Sequence, residues 1–137
     1  MKVKNVTSAL KMKEIYVQRS MFERKSGKIS GRSLEIEFKR GKKQLDENLY
    51  HVLLDTCLQN TAGDFSLEIS VVGVFDISQV EESMRETLLD KNAYAILFPF
   101  VRSQVTLLTS QPGMQPIVLP AININAMVAA ATEVIED

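Results

Sequence analysis

The sequence is poor in the side chains that carry covalent chemistry, with one cysteine, one histidine and no tryptophan in 137 residues. A single cysteine excludes an internal disulfide and suits a reducing compartment. His51 and Cys57 fall on one predicted strand, six residues apart. They share a face but sit about 20 Å from each other at ~3.3 Å per residue, and a nucleophile and its base need to be about 3 Å apart. No Cys/His grouping has metal spacing, and no glycine-rich loop opens a helix in the form of a phosphate or dinucleotide cradle. Glu35/Glu37 and Glu81/Glu82 read as solvated charges of a strand and a helix. These absences predict a protein that is not an enzyme and needs no cofactor or metal.

Long hydrophobic runs are missing as well. The longest near-continuous one, Ala93 to Val101, is about half of the ~20 residues a membrane span needs. The chain opens without a basic-then-apolar leader, so the expected location is cytoplasmic, with no membrane insertion. Net charge is −1 and the isoelectric point is near 5.9, yet the two parts differ. Residues 1–45 hold thirteen Lys/Arg against four Asp/Glu, a balance of +9, while residues 46–137 hold three against thirteen, a balance of −10. Antiparallel neighbours that set the two signs side by side are the simplest account. The basic stretch 24–43 has no aromatic beyond Phe38 to stack on bases, so nucleic-acid binding is not expected.

What the chain does have is alternation, then helical period. Met12 to Phe22 reads as a strand with Ile15, Val17 and Met21 on one face and Tyr16, Gln18, Ser20 and Phe22 on the other. In Ser33 to Lys39, Leu34, Ile36 and Phe38 alternate strictly with charges. Gly41 marks the next turn, and Asn48 to Gln59 and Phe65 to Phe75 alternate again across a short hairpin at 61–64. Four consecutive strands over about 12–78 predict an antiparallel meander, and helices and a connecting loop over about 79–135 make the class α+β, in one domain spanning 1–137. Ser78 to Leu89 is expected to be a short helix with Ser78 as its cap. The main helix follows from Leu97, with Val101, Val105 and Leu108 on one side and Arg102, Ser103, Gln104, Thr106 and Thr109 on the other. Pro99 is expected in its first turn or at a kink. The four prolines all fall within 99–120, and Pro116 and Pro120 hold Ile117 to Leu119 extended. A second main helix, capped at Asn123 or Asn125 and running from Ala126 to Ile135, is expected to pack with the first on one face of the sheet.

The run Ile96-Leu97-Phe98-Pro99-Phe100-Val101-Arg102, then a Gly/Pro loop, then Leu119-Pro120-Ala121-Ile122-Asn123-Ile124-Asn125-Ala126-Met127 resembles the signature of the protein-export chaperone SecB family. Members of that family show Ile-Leu-Phe-Pro-Tyr-x-Arg, a Phe-Pro loop and Pro-Val-Asn-Phe-Asp. Ile15-Tyr16 with Phe22-Glu23, and Gly73-Val74-Phe75, match upstream in the same order. Here Met114 replaces the usual Phe and the loop prolines are displaced by one residue.

The resemblance implies an ATP-independent holdase for unfolded polypeptides, such as preproteins destined for export. Its alternative is a SecB-like chaperone dedicated to a single client such as an antitoxin. It implies a homotetramer, a dimer of dimers, in which the Val101/Val105/Leu108 stripe is a subunit interface. It nominates Met114, Ile117 and Leu119, with Leu34, Ile36 and Phe38 across from them, as the peptide groove, and Glu23 and Glu68 as contacts for the translocase motor ATPase. Arg19 and Ser66 depart from the family's outer-face pattern, an acidic and an apolar residue respectively. Apart from any family, a four-stranded sheet has two faces and the predicted helices cover one. The apolar residues left over, Tyr16, Met21, Phe22, Met114, Ile117 and Leu119, must meet another subunit or a ligand.

Overall fold

The computed structural model describes residues 10–31, 33–122 and 132–135. Its strands are β1 (Lys11–Arg24), β2 (Leu34–Gln44), β3 (Leu49–Asn60), β4 (Phe65–Asp76) and β5 (Thr132–Ile135), and its long helix is Ala93–Thr109. The α+β class, with four antiparallel strands followed by helix, is the one the alternation predicts. The order of the strands is not. They lie as β1-β4-β3-β2-β5, so only β2, β3 and β4 form a meander, and β1 crosses to the far side of β4. That is a Greek key read from its C-terminal end. The long 25–33 connection permits the crossing, where a tight turn would have forced β1 against β2.

Register explains which residues face inward. Directly opposed residues share a face, and β1 slips by one residue between Met12 and Glu14 and again between Val17 and Arg19. Each slip is a bulge that reverses the alternation beyond it. Ile15, Val17 and Phe22 therefore share the inner face with Gly73, Val71 and Leu67, while Tyr16, Arg19 and Met21 share the outer face with Val72, Ser70 and Glu68. Simple alternation had put Met21 with Ile15 and Phe22 with Tyr16. The bulge at Gln18 corrects it, and it moves Phe22 onto the ring of Phe65 at 6.0 Å.

The expected turn at Gly41 is also displaced. β2 runs on to Gln44, pairing Gly41 with Leu53, and the Tyr94 hydroxyl donates to the Gly41 carbonyl at 3.1 Å. The chain reverses instead at Asp46, whose carboxylate accepts from the Asn48 and Leu49 amides.

The inner face is a continuous apolar layer. Leu34, Ile36 and Phe38 of β2, Val52, Leu54 and Leu58 of β3, and Phe65, Leu67, Ile69, Val71 and Phe75 of β4 are buried under Leu97, Phe98, Val101 and Val105 of the helix. Gly73 allows the helix to come this close. A β-carbon there would lie 2.8 Å from Leu97 Cδ2 and 2.7 Å from the Phe75 ring.

The helical segment begins later than expected. Ser78 donates its amide to Asp76 Oδ1 and is not a cap, and single turns over Glu82–Met84 and Arg85–Thr87 lead through a π-helical turn at Leu88–Asn92 into the long helix. Pro99 lies inside that helix rather than in its first turn. Its ring is exposed, and the N–H it lacks would have reached the Ala95 carbonyl, which is also on the exposed side, where water can serve it.

Of the second expected helix, residues 123–131 lie outside the described residues. Thr132–Ile135 is a strand, pairing antiparallel with Leu34–Glu37 of β2 and covering that sheet edge.

Candidate functional site

At the end of the sheet where β2 starts and β4 starts, two loops stand over the inner face. One is the β1–β2 connection carrying Ile29 and Gly31, and the other is the segment Gly113–Ile117 that follows the long helix. Between them is a cleft of about 410 Å³ with Leu34 and Phe65 on its floor and Ile29, Met114 and Ile117 at its sides.

Each rim is fixed by polar groups. Asp64 anchors the first. Its carbonyl accepts from the Lys25 and Ser26 amides, and its carboxylate accepts from the Ser30 amide at 2.6 Å and the Asn60 side chain at 2.9 Å. The Ser30 amide, then Asn60, hold this carboxyl below the ordinary aspartate range. The second rim is held by the polar side of the helix. Arg102 donates to the Leu119 carbonyl, Thr106 to the Ile117 carbonyl, and Thr109 accepts from the Ile117 amide. These three residues recur at helical spacing, so one face of the helix satisfies an extended, proline-stiffened segment that could not pair with itself.

The residues nominated from sequence divide. Leu34, Met114 and Ile117 converge on the cleft. Ile36 and Phe38 do not reach it. Both are core, Ile36 fully buried and Phe38 edge-on to Phe98 at 5.9 Å, because strict alternation turns them under the helix. Leu119 is buried too, and the exposed neighbour at that point is Val118. Ile29 and Phe65 are groove residues that sequence reasoning missed. Phe65 read as one more inward strand residue, and Ile29 lies within the basic stretch 24–43, where no alternation marks it.

The interface stripe is corrected as well. Val101 and Val105 are 0% exposed within a single chain and face the sheet, with Leu108 half-buried beside them. The helix presents Phe100 and Leu107 outward, at 41% and 65% exposure.

At the same end the outer face sets acidic side chains around a largely apolar surface. Glu23 and Glu68 both line a shallow cavity there with Glu35, Glu37, Met21 and Cys57. Arg19 Nε meets Glu68 Oε1 at 2.9 Å, so the arginine that departs from the family pattern offsets one of the two nominated acids. This pair, and Lys42 with Asp90 at 2.9 Å, join the basic first part of the chain to its acidic remainder.

Among the described residues Asp55, Cys57 and Glu68 bring ligand-type atoms within 4.8 Å of one another. Each has a partner already, since Ser70 donates to Asp55 and the Cys57 thiol points at Glu68. Burial and these two carboxylates push the thiol up, which keeps it protonated and a poor nucleophile. His51, on the same face, meets the Tyr16 hydroxyl at 3.4 Å.

Fold and site together define an α+β sheet-and-helix scaffold with an open cleft, apolar side chains among polar surface, at one end of its inner face. The chain belongs to the SecB family, described as preprotein translocase subunit SecB, whose profile matches residues 4–134. It is similar to the protein-export protein SecB of Azoarcus sp. (strain BH72), 36% identical over 87 residues that make up 61% of this chain and 58% of that protein. It is also similar to the protein-export protein SecB of Nitrosospira multiformis, 32% identical over 97 residues, 69% of this chain and 61% of that one. The chain thus spans about three fifths of the length of these curated relatives. Its fold is shared with a solved Mycobacterium tuberculosis SecB-like chaperone, Rv1957, in complex with a ChAD peptide from the HigA1 antitoxin. The TM-score is 0.70 at 18% identity, covering 86% of this chain and 93% of that one. No helix among the described residues is long and apolar enough to cross a membrane.

Proposed function

We propose that this chain is an ATP-independent holdase that keeps unfolded polypeptides, preproteins among them, from aggregating. The observation that carries the reading is the cleft, whose walls are side chains of Ile29, Met114 and Ile117 over a floor of Leu34 and Phe65. It is open, sets these apolar side chains among at least as much polar surface, and is adaptable at Met114, which suits many unrelated sequences better than one rigid ligand.

The floor residues are already buried, so a client gains mainly from the half-exposed walls. The apolar area open on those walls is small, and covering it yields about 1–2 kcal/mol gross, much of it offset by ordering the client. One cleft is therefore a weak site. Useful affinity needs a client long enough to occupy several clefts at once, which fits a homotetramer in the cytoplasm.

Dilution of a chemically unfolded reporter protein, followed by light scattering without nucleotide, tests the reading. The wild-type chain should suppress aggregation near stoichiometric ratios and Ile117→Ser should not. Equal suppression by Ile117→Ser would remove the cleft from client binding.

A second reading, a chaperone dedicated to a single client such as an antitoxin, is favoured by the Arg19–Glu68 pair. Neutralising Glu68 weakens an outer face that would otherwise offer two free acids, Glu23 and Glu68, to a translocase motor. Suppression limited to one reporter among several, with no binding to the motor, supports the dedicated form.

A further inference from the structure

We infer that Arg24 is the clamp that joins the two rims of the cleft and sets how fast a client leaves. This rests on the proposed reading of the cleft as the client site.

Arg24 is the last residue of β1 and stands opposite Phe65, so it projects on the inner side, next to that floor residue of the cleft. Its guanidinium has no carboxylate hydrogen-bond partner among the described residues and turns instead to three main-chain carbonyls. Nε donates to Ser26 at 3.0 Å and Nη2 to Gly27 at 3.2 Å, both in the β1–β2 connection. Nη1 donates to Gly113 at 3.2 Å, in the opposite rim and 89 residues away in sequence. One planar, permanently charged fork thus holds both walls at a fixed separation. Lysine, a point charge on a flexible stem, cannot hold three carbonyls in this geometry.

The far contact is shaped for it. Gly113 has φ +73°, a backbone conformation in which any side chain would be strained, so the carbonyl that Nη1 reaches is presented by a glycine. Met114, a wall of the cleft, is the next residue. Releasing Arg24 frees Gly113 and Met114 to swing from Ile29, widening the cleft without touching any of its apolar walls.

The clamp acts on escape more than on encounter, because affinity differences within one interface reside mostly in dissociation. The experiment follows dissociation of reduced, carboxymethylated α-lactalbumin, a permanently unfolded probe, from the full chain and from Arg24→Met, Arg24→Lys and Ile117→Ser. Arg24→Met should dissociate about tenfold faster with an association rate close to wild type, and Arg24→Lys should recover only part of that. Amide hydrogen exchange should quicken at residues 26–29 and 113–114 while strand amides stay protected, a local signature that general destabilisation does not give.

Wild-type dissociation in Arg24→Met, or full rescue by Arg24→Lys, overturns the clamp. If Arg24→Met does not fold, the milder Arg24→Lys decides, with unchanged dissociation against the proposal and severalfold faster dissociation for it. Loss of binding in Ile117→Ser with no change at Arg24 sinks the clamp alone. Retained binding in Ile117→Ser sinks the cleft reading beneath it.

Discussion

The hydroxyl of Thr109 works in both directions. It accepts from the Ile117 amide at 2.8 Å and donates to the Val105 carbonyl at 2.8 Å, one turn back in its own helix. This fully buried side chain sits at the helix end, so it both satisfies the chain's last helical turn and fixes where the extended segment departs. The position of Ile117 in the cleft is thereby set from the helix rather than from the loop's own packing.

Thr109→Val keeps the volume but removes the acceptor, leaving the Ile117 amide without it in a half-buried place. The expected loss is about 1–3 kcal/mol of unfolding free energy, measured by urea titration. Thr109→Ser, which keeps the hydroxyl, should recover most of it. Client binding should weaken in Thr109→Val under conditions where it is still fully folded, because Ile117 is no longer held toward Met114. A Thr109→Val variant as stable as wild type would show that Ile117 is placed by packing alone.

Much of the fold was legible from period alone. Strands two to four were visible because Leu34/Ile36/Phe38 and Phe65/Leu67/Ile69 alternate against polar neighbours, as burial on one face requires, and Val52/Leu54/Leu58 keep the same period of two. Strand order was not legible, since alternation records which face a strand buries and not which neighbour it has. The faces of β1 were misread for a definite reason. A bulge at Gln18 leaves no mark in composition, yet it inverts everything after it. The cleft was half legible. Proline spacing exposed the stiff Ile117–Leu119 segment, but the opposite rim is built by Asp64 and Asn60 reaching across from another hairpin. Arg24 looked like one charge among several in the basic stretch 24–43. The interface stripe failed on direction, for an amphipathic helix shows its apolar side to whatever is nearest, and here that is its own sheet.

Acid should loosen the first rim before it unfolds the sheet. Hydrogen bonds from the Ser30 amide and from Asn60 lower the folded-state pKa of Asp64 below its ordinary value of 3.8. A carboxyl depressed by folding contributes stability that is fully present above the ordinary pKa and is lost as pH falls through the folded one. The stability gap between wild type and Asp64→Ala should therefore be constant from neutral pH to about 5 and shrink below about 4. Urea titrations at stepped pH measure the gap. Client dissociation from wild type should quicken over the same acid range, as Ser30 and with it Ile29 come free. A gap that stays constant down to about pH 2 would mean that the ionised carboxylate is not what holds the rim.

The two sides of the long helix should respond oppositely to charge. Val101 is fully buried against the sheet, so Val101→Asp places a carboxylate where it has neither water nor a cation, and the chain should fail to fold or lose more than ~3 kcal/mol. Leu107 is 65% exposed and shares its side of the molecule with Phe100 at 41% and Val118 at 70%. Leu107→Glu should leave the circular dichroism spectrum and urea midpoint of the protomer nearly unchanged. If four copies assemble through this outward side, light scattering after size exclusion should show Leu107→Glu at a lower mass than wild type. Equal masses for the two proteins would exclude the Phe100/Leu107 side as the contact. The original interface stripe would be restored only if Val101→Asp folded normally and changed the mass, and the complete burial of Val101 against the sheet argues that it will do neither.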